Sequence, residues 1–182
     1  KRIINIFSLI VLVSACADMD VQNLNQPDTQ RALSSSNDLK VITSGLYESY
    51  YYDVFQLSSP VFYMAVSADN HTCSWGNFGM RNAGTEPRPA FDNTVSYPYQ
   101  DITSEYFDDM YSTLSSASDV LTAIDNGVDF GAEQVKVEAF AKFIQATILS
   151  DLALTFDKAF IVTEDTPEEE LLTPVFQNSE LV

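Results

Sequence analysis

The sequence predicts an all-α fold of antiparallel helix pairs. Three long stretches carry apolar residues at three- and four-residue steps, the last two are joined by a short glycine-containing link, and no stretch alternates convincingly at period two. The chain has 182 residues, 46% hydrophobic and 12% aromatic, which is the composition of a globular domain and not of a disordered one.

The N-terminus is a different kind of segment. Lys1 and Arg2 precede the apolar run Ile3 to Val13. That run stops well short of the ~20 residues a spanning helix needs, so it reads as the core of a signal peptide. Val13-Ser14-Ala15-Cys16 follows, small residues and then a cysteine. This is the pattern of a lipobox, with cleavage before Cys16 and acylation of its thiol. The expected organisation is a lipoprotein signal peptide over 1–15, a lipidated N-terminus and polar tether over 16–36, and a helical domain over 37–182.

The tether is expected because residues 17–36 are polar and lack periodicity (Asp18, Asp20, Asn23, Asn25, Pro27, Asp28). Ser34-Ser35-Ser36-Asn37 then offers N-caps to a helix whose stripe is Leu39, Ile42, Leu46, Tyr50 and Val54. Ser59-Pro60 is a cap followed by proline at the first helical position, ahead of the apolar Val61 to Val66. Between Asp69 and Gln100 the periodicity vanishes, and Gly76, Gly79, Gly84, Pro87, Pro89 and Pro98 break any regular element. A loop of that length in a domain tends to be functional or disordered, and Trp75, Phe78, Phe91, Tyr97 and Tyr99 argue for order.

Helical order returns with Ile102, Tyr106, Met110, Leu114, Ala117, Leu121 and Ile124, and ends at Asn126-Gly127. A further helix is expected from Ala132 to Thr155. From Ala139 it is apolar nearly all round, which predicts burial between other helices. These two form a hairpin. The stretch from Glu164 to Val182 is acidic and offers no closing element.

Loss of Lys1 and Arg2 with the signal peptide would move the net charge from −17 to −19. A chain so acidic is repelled by nucleic acid and by anionic headgroups, so neither is expected as a partner, and membrane attachment falls to the acyl chains on Cys16. With Cys16 acylated, Cys73 has no partner in the sequence and reads as a small buried hydrophobe.

The chemistry of an enzyme is hard to find. There is no phosphate-binding glycine loop and no nucleophile elbow, and His71 is the only histidine. Asp69, His71 and Cys73 lie close in sequence but have no second pair of ligands, so no metal is expected. Asp108-Asp109 and Glu168-Glu169-Glu170 read as solvated faces and not as paired catalytic carboxylates. No catalytic residue and no cofactor are expected. Sugar binding asks for an aromatic ring against the apolar face of the pyranose and for Asn, Asp or Arg beside its hydroxyls. The loop holds that mixture, and Asp69, Trp75, Asn77, Arg81, Tyr97 and Tyr99 are its candidate ligand-binding residues. Anchoring of the loop to the helices would explain the same aromatics, and would have Glu86 and Arg88 fix its shape.

Several segments resemble the SusD/RagB family, the surface glycan-binding lipoproteins of Bacteroidetes. Cys16 with Asp18 and Asp20 is similar to the acidic start of surface-exported lipoproteins, and Asp20 to Pro27 resembles the family's tether. Gly84-Thr85-Glu86-Pro87-Arg88 through Asn93 resembles a motif of one branch. Tyr106 through Leu121 resembles a helix with the core W-x-x-x-Y-x-x-I-x-x-A-N-x-x-L, with Tyr106 or Phe107 for the Trp and Ser118 for the Asn. Ala139 to Phe160 resembles the helix and exit R-A-x-x-Y-x-x-L-x-x-x-(F/Y)-G-x-x-P, with Gln145 for the Arg and Asp157 to Phe160 for the turn.

The resemblance implies tetratricopeptide-like helix pairs with a long irregular loop region, of which this chain holds the N-terminal part. It also implies an outer-membrane, lipid-anchored protein facing the exterior, which captures glycan and delivers it to a SusC-like TonB-dependent transporter. A different class remains open from the residues themselves, a helical scaffold lipoprotein that binds a protein or peptide.

Overall fold

Capping decides where the first long helix starts. Ser35 accepts a hydrogen bond from the Asp38 backbone N–H at 3.3 Å, satisfying one of the free donors of the first turn. The computed structural model describes residues 29–178 except Asn93 and Pro174, and of Thr29, Gln30 and Glu168 the backbone only. The expected signal peptide, Cys16 and the tether as far as Asp28 lie outside the described residues. The chain divides into two compact units, Lys1–Ala32 and Leu33–Val182. Of the first, only the opening residues of α1 (Thr29–Ser34) are described. The last part of the expected tether is therefore helical, and Leu33 packs beside Leu39 and Phe130 in the second unit.

The second unit is all-α. Its core is made by α2 (Ser36–Phe55), α5 (Asp101–Asp125) and α6 (Gln134–Thr155), each of which packs on the other two. The stripe read from the sequence faces inward in α2: Leu39, Leu46 and Val54 are buried and Ile42 and Tyr50 half-buried. In α5 Ile102, Tyr106, Met110, Leu114, Ala117 and Leu121 are all buried. Ile144, Ile148 and Leu152 complete the core from α6. Each such side chain contributes about 1.5–3 kcal/mol by leaving water.

The α5–α6 link is closed by local chemistry. Gly127 at φ +87 ends α5 in the left-handed region, and the Val128 N–H donates to the Ala123 carbonyl at 3.0 Å. The Asp129 carboxylate then accepts from the Gly131 N–H at 2.7 Å, and a 3-10 turn (Gly131–Glu133) leads into α6.

Ser59 caps α3 (Pro60–Ser67) through its hydroxyl and the Val61 N–H, with Pro60 in the first turn, as the sequence predicts. The expected loop contains one further helix, the short α4 (Met80–Gly84), which forms because Met80 and Ala83 bury against Val66. After α6 come β1 (Lys158–Ala159), α7 (Glu168–Leu172) and β2 (Gln177–Asn178); the two strands pair antiparallel.

One expectation fails. The outer face of α6 is exposed: Val135 at 76%, Phe143 at 57% and Leu154 at 83% are open to solvent. The helix packs on α2 and α5 from one side, and no described element covers the other. No helix among the described residues is long and apolar enough to cross a membrane.

Two polar joints tie the C-terminal segment down. The Tyr111 hydroxyl donates to the Phe160 carbonyl at 2.9 Å and accepts from its N–H at 2.6 Å. Gln145, buried in α6, donates to Ser118 at 3.3 Å and to Glu164 at 2.9 Å, while Lys142 pairs with the same Glu164 carboxylate. Burial alone would raise that carboxyl, but the bonds from Lys142 and Gln145 outweigh it and hold Glu164 below the ordinary value.

Candidate functional site

The irregular stretch after α3 is organised by a few bonds. Asp69, at φ +59, turns the chain out of α3, and its carboxylate pairs with the Arg88 guanidinium. Arg88 also reaches Glu86 at 3.1 Å and donates from Nε to the Ala83 carbonyl at 3.0 Å. The two ends of residues 69–88 are thereby held together. Exposed ion pairs of this sort add little stability, so their effect is on shape. The peptide bond between Glu86 and Pro87 is cis.

Within that closed stretch is a cavity of about 270 Å³, lined by Asp69, His71, Cys73, Trp75, Gly76 and Arg81 among others. Pockets for drug-sized ligands run to about 300–1,000 Å³, so this one suits a single ring of a larger ligand. Trp75 is 53% exposed and meets Phe78 edge-on, with centroids 6.1 Å apart. Phe78 itself sits at φ +51 and packs beside Val66, Met80 and Ala83. The Trp75 N–H donates to Cys73 Sγ at 3.3 Å, and the thiol bonds the Trp75 carbonyl. Cys73 is thus half-buried and shapes the turn that presents the indole, where full burial was expected.

Three of the six predicted ligand-binding residues, Asp69, Trp75 and Arg81, meet around this cavity. The other three do not line it. Asn77 is exposed and serves the backbone, its carbonyl accepting from the Met80 N–H at 3.0 Å. Tyr97 is only 9% exposed; its ring packs between Phe91 and Tyr99 with centroids 5.9 and 5.7 Å away, and Asn82 donates to its hydroxyl at 3.5 Å. Tyr99 is half-buried at the edge of the same stack. Tyr97 fills the base on which the loop rests, while Tyr99 packs edge-on against it and stays half-exposed.

Asp69, His71 and Cys73 share the cavity, yet no group of three His, Cys, Asp or Glu among the described residues is placed to hold a metal ion. Neither a protein-family model nor a curated protein nor a solved structure matches this chain.

A second, more open cavity of about 530 Å³ lies between α2 and α5, lined by Gly45, Glu48, Tyr52, Asp53, Asp109 and Thr113 among others. Asp53 is buried; loss of solvent raises its carboxyl above the ordinary value despite a bond from Thr113 at 2.9 Å, and Asp109 raises it further. Asp109 in turn accepts from Gln56 at 3.1 Å. Asp108 is exposed, so the adjacent pair read from the sequence splits between solvent and groove. Sequence reasoning missed this groove because its two walls are far apart in the chain. The only local signal is Gly45, whose missing side chain leaves space that nothing else fills. Asp53 and Asp109 are engaged by Thr113 and Gln56 and, with Glu48, make the groove acidic, whereas the Trp75 cavity has a half-exposed indole with Arg81 and Asp69 in its wall.

Proposed function

We propose that this protein is a glycan-binding lipoprotein that takes up a sugar at the Trp75 cavity and passes it to a TonB-dependent transporter in the outer membrane. The observation that carries the binding part is the half-exposed indole beside Arg81 and Asp69. A pyranose stacks its C–H face on an aromatic ring, and its hydroxyls need both a donor and an acceptor near the ring edge. Arg81 supplies donors. The Asp69 carboxylate, though paired with Arg88, keeps lone pairs for a hydroxyl.

Support for the lipoprotein and transporter parts comes from the lipobox ending at Cys16 and from the resemblance to the SusD/RagB family. In that resemblance Ser118 and Gln145 stand at motif positions on separate helices, and the two side chains are hydrogen-bonded across 27 residues of sequence. Tyr111 and Phe160, also within the resembling segments, are joined twice. On this reading the protein is not an enzyme, and it needs no cofactor.

Isothermal titration of the intact protein against a panel of oligosaccharides tests the binding part. At least one glycan should bind, and Trp75→Ala should weaken it by about tenfold or more, since apolar surface covered by the sugar is worth about 25 cal/mol per Å². The absence of binding to every glycan, with a peptide bound instead, would contradict it. A peptide or protein partner is favoured by one specific observation, the exposed apolar face of α6 with Val135, Phe143 and Leu154. If that face is the working surface, Phe143→Ser should abolish partner capture while Trp75→Ala leaves it intact.

A further inference from the structure

We infer that the sugar held at the Trp75 cavity carries an anionic group, a carboxylate or a sulfate, which Arg81 binds; this rests on the proposed glycan reading of the same site. Arg81 lines the cavity and forms no ion pair among the described residues. Its guanidinium lies over the backbone of Gly76, where a Cβ would come within 3.6 Å of Nε and 3.8 Å of Nη2. The charge therefore sits beside Gly76, the residue after Trp75, at the wall of the same cavity.

The surrounding charges explain why Arg81 is free. Among the described residues Asp69 is the only carboxylate lining the cavity, and it is paired with Arg88. Arg88 is itself shared with Glu86 at 3.1 Å. Two carboxylates and two guanidinium groups leave this cluster neutral, in a chain whose net charge is −17. Because charges beyond about 8 Å are screened at physiological salt, an anionic ligand meets the local balance and not the whole-chain total. An arginine fork matches the two oxygens of a carboxylate or sulfate with parallel hydrogen bonds, which a neutral hydroxyl cannot do. A neutral hydroxyl uses a guanidinium donor but none of its charge, whereas an anion draws on both.

The experiment is a matched-pair titration of the intact protein. Oligogalacturonate is compared with its methyl ester, and a sulfated galactan oligosaccharide with its desulfated parent, for the wild type, Arg81→Gln and Arg81→Lys. Arg81 is exposed, and a circular dichroism spectrum of each variant confirms the fold is kept. The acidic member of at least one pair should bind about tenfold more tightly than its neutral counterpart. Arg81→Gln should weaken the acidic member about tenfold more than the neutral one and so erase that preference, Arg81→Lys should restore part of it, and raised salt should shrink it. Equal binding of both members of each pair, or a preference that survives Arg81→Gln, would overturn the inference and leave the glycan reading standing. If neither member of any pair binds, the inference falls, and if no sugar of the wider panel binds either, the glycan reading falls with it.

Discussion

Gly79 holds φ +69, and a Cβ built there would stand 2.8 Å from the Tyr97 hydroxyl and 3.2 Å from the Tyr63 ring. Both the turn and the close approach require glycine. Gly79→Ala should therefore cost roughly 1–3 kcal/mol of stability, read from a urea midpoint. It should also weaken any ligand of the neighbouring cavity, because the residue starts the helix that carries Arg81. Asp53 gives a prediction of a different kind. Its folded-state value is raised, mainly by burial, so folding takes up protons between the unfolded value of about 3.9 and the folded one. Stability contributed at low pH is lost as pH rises through that window. Asp53→Asn, which can still accept from Thr113, should raise the denaturation midpoint at neutral pH. That gain should shrink as pH falls towards 4.

At the level of elements, the joints after α6 are the places to press. Tyr111→Phe removes two hydrogen bonds to Phe160 and leaves its backbone groups half-buried without them. A loss of about 1–3 kcal/mol is expected, with faster hydrogen exchange at the Phe160 amide and little change in α2. Glu164 has the opposite pH sign to Asp53. Its folded value is lowered, so its contribution is present above the unfolded value of about 4.3 and is lost as pH falls through the folded one. Glu164→Gln should accordingly destabilise at pH 7, an effect that shrinks in thermal melts as pH falls through the folded value. The long helices were legible because a three- and four-residue stripe extends over many turns: Leu39 to Val54 and Ile102 to Leu121 face the core as read. The short α1 and α4 were not, since five or six residues carry too little periodicity and depend on packing for their existence. The same limit applies to the site. Trp75 and Arg81 were legible as residue types in an aperiodic loop, but the use of Tyr97 and Tyr99 as packing depends on which ring faces which, and one-dimensional spacing does not carry that.

At the scale of the molecule, two apolar surfaces are left open among the described residues. One is the outer face of α6. The other is a ladder on α2, where Tyr51 packs on Tyr47 and Phe55 at centroid distances of 6.3 and 4.7 Å while all three are about half exposed. An all-round apolar α6 led the sequence reading to expect burial on every side; residue type reports what a face can bury, and only the fold shows what is there to cover it. The proposed function sits in the loop region carried by this helical frame, and there the chain supplies its own probe. Trp75 is its only tryptophan, and it is half exposed at the cavity. Tryptophan emission therefore reports on the proposed site and on nothing else in the chain. Titration of the intact protein with the oligosaccharide panel should shift that emission to the blue with a saturable curve, since a sugar stacked on the indole removes water from it. Emission that stays unchanged with every glycan, while a peptide shifts it, would contradict the account.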